Sequence, residues 1–105
     1  METLEIPKDV WIPISSLVRH GIYKNEKSAL VNIIHDMSLS KIKELESGIK
    51  EFEVKYKIDF EGFQSKINEA KRENFEKWDD YIEWKAYFTA YNHWKSIHEE
   101  SSRWL

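Results

Sequence analysis

The chain of 105 residues contains no cysteine, which excludes disulfides and thiolate metal sites at once. Its two prolines, Pro7 and Pro13, both lie in the first thirteen residues, and its three glycines are Gly21, Gly48 and Gly62. With so few breakers beyond residue 13, the chain reads as helical after a short non-helical start. No apolar run reaches the length that spans a bilayer. The opening METLEIPKDV has neither the basic nor the apolar segment of a signal peptide, so a soluble cytoplasmic protein is expected.

A surplus of positive charge is also missing. Lys and Arg total 16 against 19 Asp and Glu, a formal charge of -3. Residues 1–50 hold seven bases and seven acids, and residues 51–105 hold nine bases and twelve acids. Phosphate contacts drive nonspecific nucleic-acid affinity, so this balance argues against that role. Catalytic patterns are absent too. His20, His35, His93 and His98 show no i,i+4 pairing, which makes zinc unexpected. Ser15, Ser16, Ser101 and Ser102 sit in no nucleophile elbow, and no glycine-rich phosphate loop is present. The sequence therefore predicts no enzyme, no metal and no cofactor.

What the chain has is rings. The stretch WDDYIEWKAYFTAYNHW, Trp78 to Trp94, carries seven aromatic residues. Tyr81, Trp84, Phe88 and Tyr91 fall at 3-4-3 spacing and form one stripe of a helix. Tyr87, Ala90, Trp94 and Ile97 form a second, offset stripe. A surface helix normally buries one face, so one stripe is expected to serve the fold and the other a partner. Trp84 is assigned to the fold and Trp94 to the partner. Trp and Tyr anchor interfaces because each has a large apolar body and a polar edge. Asp79, Asp80 and Glu83 add carboxylates that read either as a solvated face or as an acidic match to a basic cleft. A metal site there would need further oxygen ligands from elsewhere.

Thr3 to Ile6 alternates polar and apolar residues, which predicts one short strand with Leu4 and Ile6 on a common face. No second strand is apparent, so pairing with a copy of the chain is expected. Val10, Ile14, Leu17 and Val18 recur at helical spacing up to Gly21, with Pro13 either in the first turn or bending the helix. Asn25 is a good N-cap for a second helix with a stripe of Leu30, Ile33, Ile34 and Met37. Past Ser38-Leu39-Ser40 the seam Ile42, Leu45, Ile49, Phe52, Tyr56 has coiled-coil spacing. A continuous helix from Glu26 to Tyr56 would be roughly 46 Å long at about 1.5 Å per residue, so it either breaks near Ser40 or projects. Asp59 caps a third helix, with Ile58 stapled to Phe63 and with Phe60, Ile67 and Ala70 on the same face. Lys71 to Lys77 reads as a loop or a wet junction to the last helix, which ends near Glu100.

Residues 6–34, IPKDVWIPISSLVRHGIYKNEKSALVNII, resemble the ribbon-helix-helix family of small dimeric DNA-binding proteins. Gly21, Ile22, Tyr23, Lys24, Asn25, Ala29, Leu30, Ile33 and Ile34 occupy the matching positions. The resemblance implies a homodimer built on Leu4, Ile6, Leu17, Leu30, Ile33 and Ile34. It places Thr3 and Glu5 toward DNA, with Asn25, Glu26 and Lys27 opening a phosphate-binding helix. Glu5 and Glu26 would face the negative backbone, so DNA is a disfavoured partner. Many such proteins are antitoxins, and the acidic, Trp-rich ending is similar to that of small archaeal antitoxin-like proteins. That likeness implies neutralisation of a cognate toxin by occlusion, through Trp78, Asp79, Asp80, Glu83, Tyr87, Tyr91 and Trp94. The expected fold is mainly α, with a strand-bearing ribbon-helix-helix-like region over 1–57, including the long second helix, and a helical partner-binding region over 58–105. A transcription regulator and a structural helical interaction module are the alternatives.

Overall fold

A computed structural model describes residues 5–69 and 75–105. It consists of four helices, α1 (Lys8–Arg19), α2 (Glu26–Tyr56), α3 (Phe60–Glu69) and α4 (Phe75–Ser102). The fold is mainly α, and no strand occurs among the described residues. The expected ribbon-helix-helix start is thereby corrected. Pro7 already stands at the N-cap of α1, and its carbonyl accepts from the N–H groups of Val10 and Trp11. Only Glu5 and Ile6 precede it among the described residues, and neither has a ladder partner. Thr3 and Leu4 lie outside the described residues, as does Ala70 on the expected α3 face. Glu5 and Ile6 lead directly into the N-cap of α1.

Local chemistry sets the other boundaries. Gly21 adopts a φ of 76°, and its N–H reaches the Val18 carbonyl while that of Ile22 reaches Leu17. This is the paired bonding of a glycine-terminated helix end, in which a Cβ would be strained. Asn25 caps α2 by accepting from the Ser28 N–H at 2.8 Å, and Asp59 caps α3 in the same way from Gly62 at 2.8 Å. Pro13 lies well inside α1, beyond its first turn.

α2 runs unbroken through Ser38–Ser40. Its fully buried Ser38 hydroxyl donates to the His35 carbonyl at 2.8 Å, satisfying itself within the helix. The helix neither breaks nor projects alone, because α4 lies antiparallel along it. Facing pairs follow the whole length: Tyr56 with Asp80, Phe52 with Trp84, Gly48 with Tyr87, Glu46 with Tyr91 and Ser38 with His98. α1 packs on α2, and α3 packs on α4. The molecule measures 59 × 27 × 24 Å.

The core lies where α3 closes the hairpin. Phe60, Phe63, Ile67, Tyr81 and Trp84 are buried, with Ile49, Phe52, Tyr56, Ile58, Trp78 and Phe88 packed around them. Trp84 is 0 % exposed and lies 5.1 Å from the Phe63 ring and 5.4 Å from that of Phe52. Its indole Nε1 finds no acceptor among the described residues, so ring packing has to outweigh that desolvation.

Gly48 marks the closest approach of α2 and α4, since a Cβ there would meet the Tyr87 ring at 2.8 Å. Tyr87 cannot swing away freely, because its hydroxyl donates to Glu83 at 2.7 Å. A Gly48→Ala change gains about 1 kcal/mol of helix propensity but incurs overpacking of about 1–3 kcal/mol. Chemical denaturation is expected to show a net loss for Gly48→Ala. In a Tyr87→Leu background the same change is expected to be neutral or stabilising.

Candidate functional site

α4 carries most of the residues singled out for partner binding, and its surroundings divide them. Residues one apart on a helix point about 100° away from each other. Asp79 is exposed, whereas Asp80 turns toward α2. Lys55 Nζ lies 2.6 Å from Asp80 and 2.9 Å from Glu76, and the Tyr56 hydroxyl donates to the same Asp80 carboxylate. Glu83 accepts from Tyr87 on its own helix. The three carboxylates thus occupy three environments, and two of them are engaged within the chain.

The first ring stripe supplies the core, with Trp84 fully buried in it. Tyr81 and Trp84 are buried, and Phe88 and Tyr91 are half-buried. Tyr91 donates to Glu46 across the hairpin at 3.3 Å. Tyr87 and Trp94 are half-buried as well, and with Lys41, Glu44, Leu45, Gly48 and Ala90 they line a groove of about 330 Å³. Both stripes therefore border α2. Trp78 sits half-buried with its ring edge-on to Tyr81.

The residues named for a dimer or for DNA fall at the opposite end. Leu17, Leu30 and Ile33 are half-buried, and Ile34, Ile6 and Glu5 are exposed. The Asn25 side chain is taken up by the cap, Glu26 accepts from Ser15 at 3.4 Å, and the Lys27 ammonium lies 5.7 Å from the Trp104 ring centroid.

Two features escaped the sequence reading. The first is a polar knot between the start of α2 and the end of α4. The His35 and His98 rings stack at 4.2 Å. Ser38 Oγ donates to the His35 carbonyl at 2.8 Å, and His98 Nδ1 lies 3.1 Å from the same oxygen, placed to donate to it in the tautomer that carries its proton there. Ser102 likewise donates to the His98 carbonyl at 2.8 Å, which makes His35 Nε2 the donor to Ser102 at 3.1 Å. The four side chains thus tie the two long helices together. The two sides of the knot stand sixty or more residues apart, and no local spacing signals it. The second is the apolar surface of α1, where Val10, Trp11 and Ile12 are all exposed. Three successive apolar residues were its signal in the sequence. Among the described residues no three His, Asp or Glu side chains converge as a metal site, and no helix is long and apolar enough to cross a membrane.

Electrostatics mark the Lys55–Tyr56–Asp80 contact. Burial pushes the Tyr56 phenol up to about 12, assisted by its bond to Asp80. Burial also acts to raise Asp80, but the bonds from Lys55 and Tyr56 outweigh it and hold the carboxyl below its usual 3.8. A depressed carboxyl stabilises the fold above its unfolded value and loses that contribution as pH falls through the folded one. Wild-type stability is therefore expected to drop in acid below about pH 4. An Asp80→Asn variant is expected to be less stable by about 1–2 kcal/mol at neutral pH and to show a shallower acid limb in thermal melts.

A family model described as the uncharacterized protein MJ0235 family matches residues 14–100. No curated protein and no solved structure matches the chain.

Proposed function

The chain belongs to the uncharacterized protein MJ0235 family, and we propose that it is a helical protein-interaction module, acting by binding and not by chemistry. One observation carries this reading. The folded chain exposes 8390 Å², whereas a compact chain of 12.7 kDa exposes about 6,200 Å². Its radius of gyration is 19.8 Å, against about 13 Å for a compact chain of this length. A polar elongated chain carries such surface without difficulty. Several large apolar side chains stand in that surface, among them Ile12 at 55 % and Met37 at 51 % exposure. Apolar surface of that kind marks a site where another protein is bound.

Native mass spectrometry of the protein purified from its own cells tests the reading. A complex of defined stoichiometry is expected, of identical or of different chains. A lone monomer at cellular concentration overturns it.

Neutralisation of a toxin is a special case of the same reading. The exposed Asp79 and the groove at Tyr87 and Trp94 favour it, while the engagement of Asp80 and Glu83 within the chain leaves a smaller acidic face than occlusion of a basic cleft would use. Co-expression with the product of an adjacent gene is expected to restore growth if that product is toxic. Failure to bind it removes this special case.

A further inference from the structure

Two of the four histidines, His35 and His98, stand in the seam between the long helices, while His20 and His93 are exposed. The seam pair is stacked, with ring centroids 4.2 Å apart and planes 28° from parallel. Each ring directs one nitrogen at a serine hydroxyl 3.1 Å away, His98 Nδ1 at Ser38 and His35 Nε2 at Ser102. Those hydroxyls donate to carbonyls of their own helices, so they are free to accept from a ring in its neutral or its charged form. Protonation therefore costs the knot no hydrogen bond. What it changes is charge.

The charged groups around the pair are unequal. Asp36 Oδ1 lies 3.9 Å from His35 Nδ1, so the first positive charge is expected on His35. The second falls to His98, which faces that charge and has no carboxylate within ion-pair distance among the described residues. Glu99 and Glu100 follow it in sequence and are exposed. One turn before it, Lys95 lies over the Tyr91 ring, and Arg103 follows the helix. α1, packed on the same helix as His35, carries a single carboxylate, Asp9, and pairs it with neither ring. The His35 side chain is only 19 % exposed, which limits the water available to screen two cations.

We propose that this stacked pair makes the His98 end of the hairpin acid-sensitive, joined while at most one ring is charged and parted when both are. The inference goes beyond the interaction reading and does not rest on it. Two unit charges about 4 Å apart shift an equilibrium about fivefold even in bulk water, and further where water is partly excluded. The joined form thus binds one proton fewer than the parted form. Its stability is complete above the ordinary imidazole range near about pH 6.5 and falls as pH drops through it. That window lies well above the one in which Asp80 acts. Trp104 and Leu105, just past α4, line a groove with Ser28, Val31 and Asn32 of α2, and this groove is what the parting uncovers.

The absence of native cysteine lets the full chain be spin-labelled in pairs. Lys24→Cys with Arg103→Cys spans the histidine end, and Glu53→Cys with Asp79→Cys spans the end closed by α3. Pulsed dipolar spectroscopy is run at about pH 7.5 and about pH 5.5, on either side of the imidazole range. At the lower pH the first pair is expected to gain a longer, broader distance population, at least about fivefold larger than at the higher pH. The second pair is expected to keep one narrow distance throughout. His98→Gln, which retains a side-chain donor but takes no charge, is expected to remove the response, and His93→Gln to retain it. A first-pair distance unaltered by acid, or a response that survives His98→Gln, overturns the proposal. Should His98→Gln part the helices already at the higher pH, the ring C–H resonances of the otherwise wild-type chain decide. The long population is then expected to rise with the second of the two seam rings to titrate, and a rise that follows neither ring overturns the proposal.

Discussion

Everything in this molecule depends on α2 and α4 lying against each other for almost their full length. Neither long helix is stabilised by its own propensity alone, and amphipathic helices gain most of their stability from tertiary packing. The pairing is close because Gly48 removes the side chain that would stand where the Tyr87 ring lies. It is kept in register by contacts of different kinds along the seam: a charge-assisted group at Lys55 and Asp80, rings at Phe52 and Trp84, and a hydroxyl–imidazole knot at Ser38 and His98. A slip of one residue would disengage all of them together.

The two short helices finish the hairpin in unequal ways. α3 brings Phe60, Phe63 and Ile67 onto Trp84 and Tyr81 and completes a true interior. α1 lies on the other end of α2 and completes nothing of comparable burial, since none of its residues is fully covered. One end is therefore a finished core and the other an open one. This asymmetry, and not any catalytic grouping, is what supports a role in binding.

Local rules were legible in the sequence, and long-range partners were not. Asn25, Asp59 and Gly21 declare the helix ends by chemistry that acts over three to five residues, and the structure uses all three. The seam from Ile42 to Tyr56 faces α4 as its spacing implies. Alternation over Thr3 to Ile6 implied a strand, but no strand occurs among the described residues, where Ile6 leads directly into the N-cap of α1 at Pro7. Continuity through Ser38–Ser40 could not be read, because it follows from a hydroxyl satisfied by its own helix and an imidazole on another. For the site, the grouping of Asp79, Asp80 and Glu83 was visible, but their partners were not. Lys55 and Tyr56 claim Asp80 from more than twenty residues away. The apolar run Val10–Trp11–Ile12 was in plain view, and only the structure shows how little of it α2 covers.

The knot at His35, Ser38, His98 and Ser102 has one further consequence, for how the hairpin opens. Opening begins where the fewest apolar contacts must be given up. The end closed by α3 holds its strands of rings in a dry interior, while the knot joins the other end through four hydroxyl–imidazole and hydroxyl–carbonyl bonds that water can replace. The last turns of α4 are thus held as a clasp is held, by bonds that water can replace, and amide hydrogens beyond His98 are expected to exchange with solvent before those around Trp84.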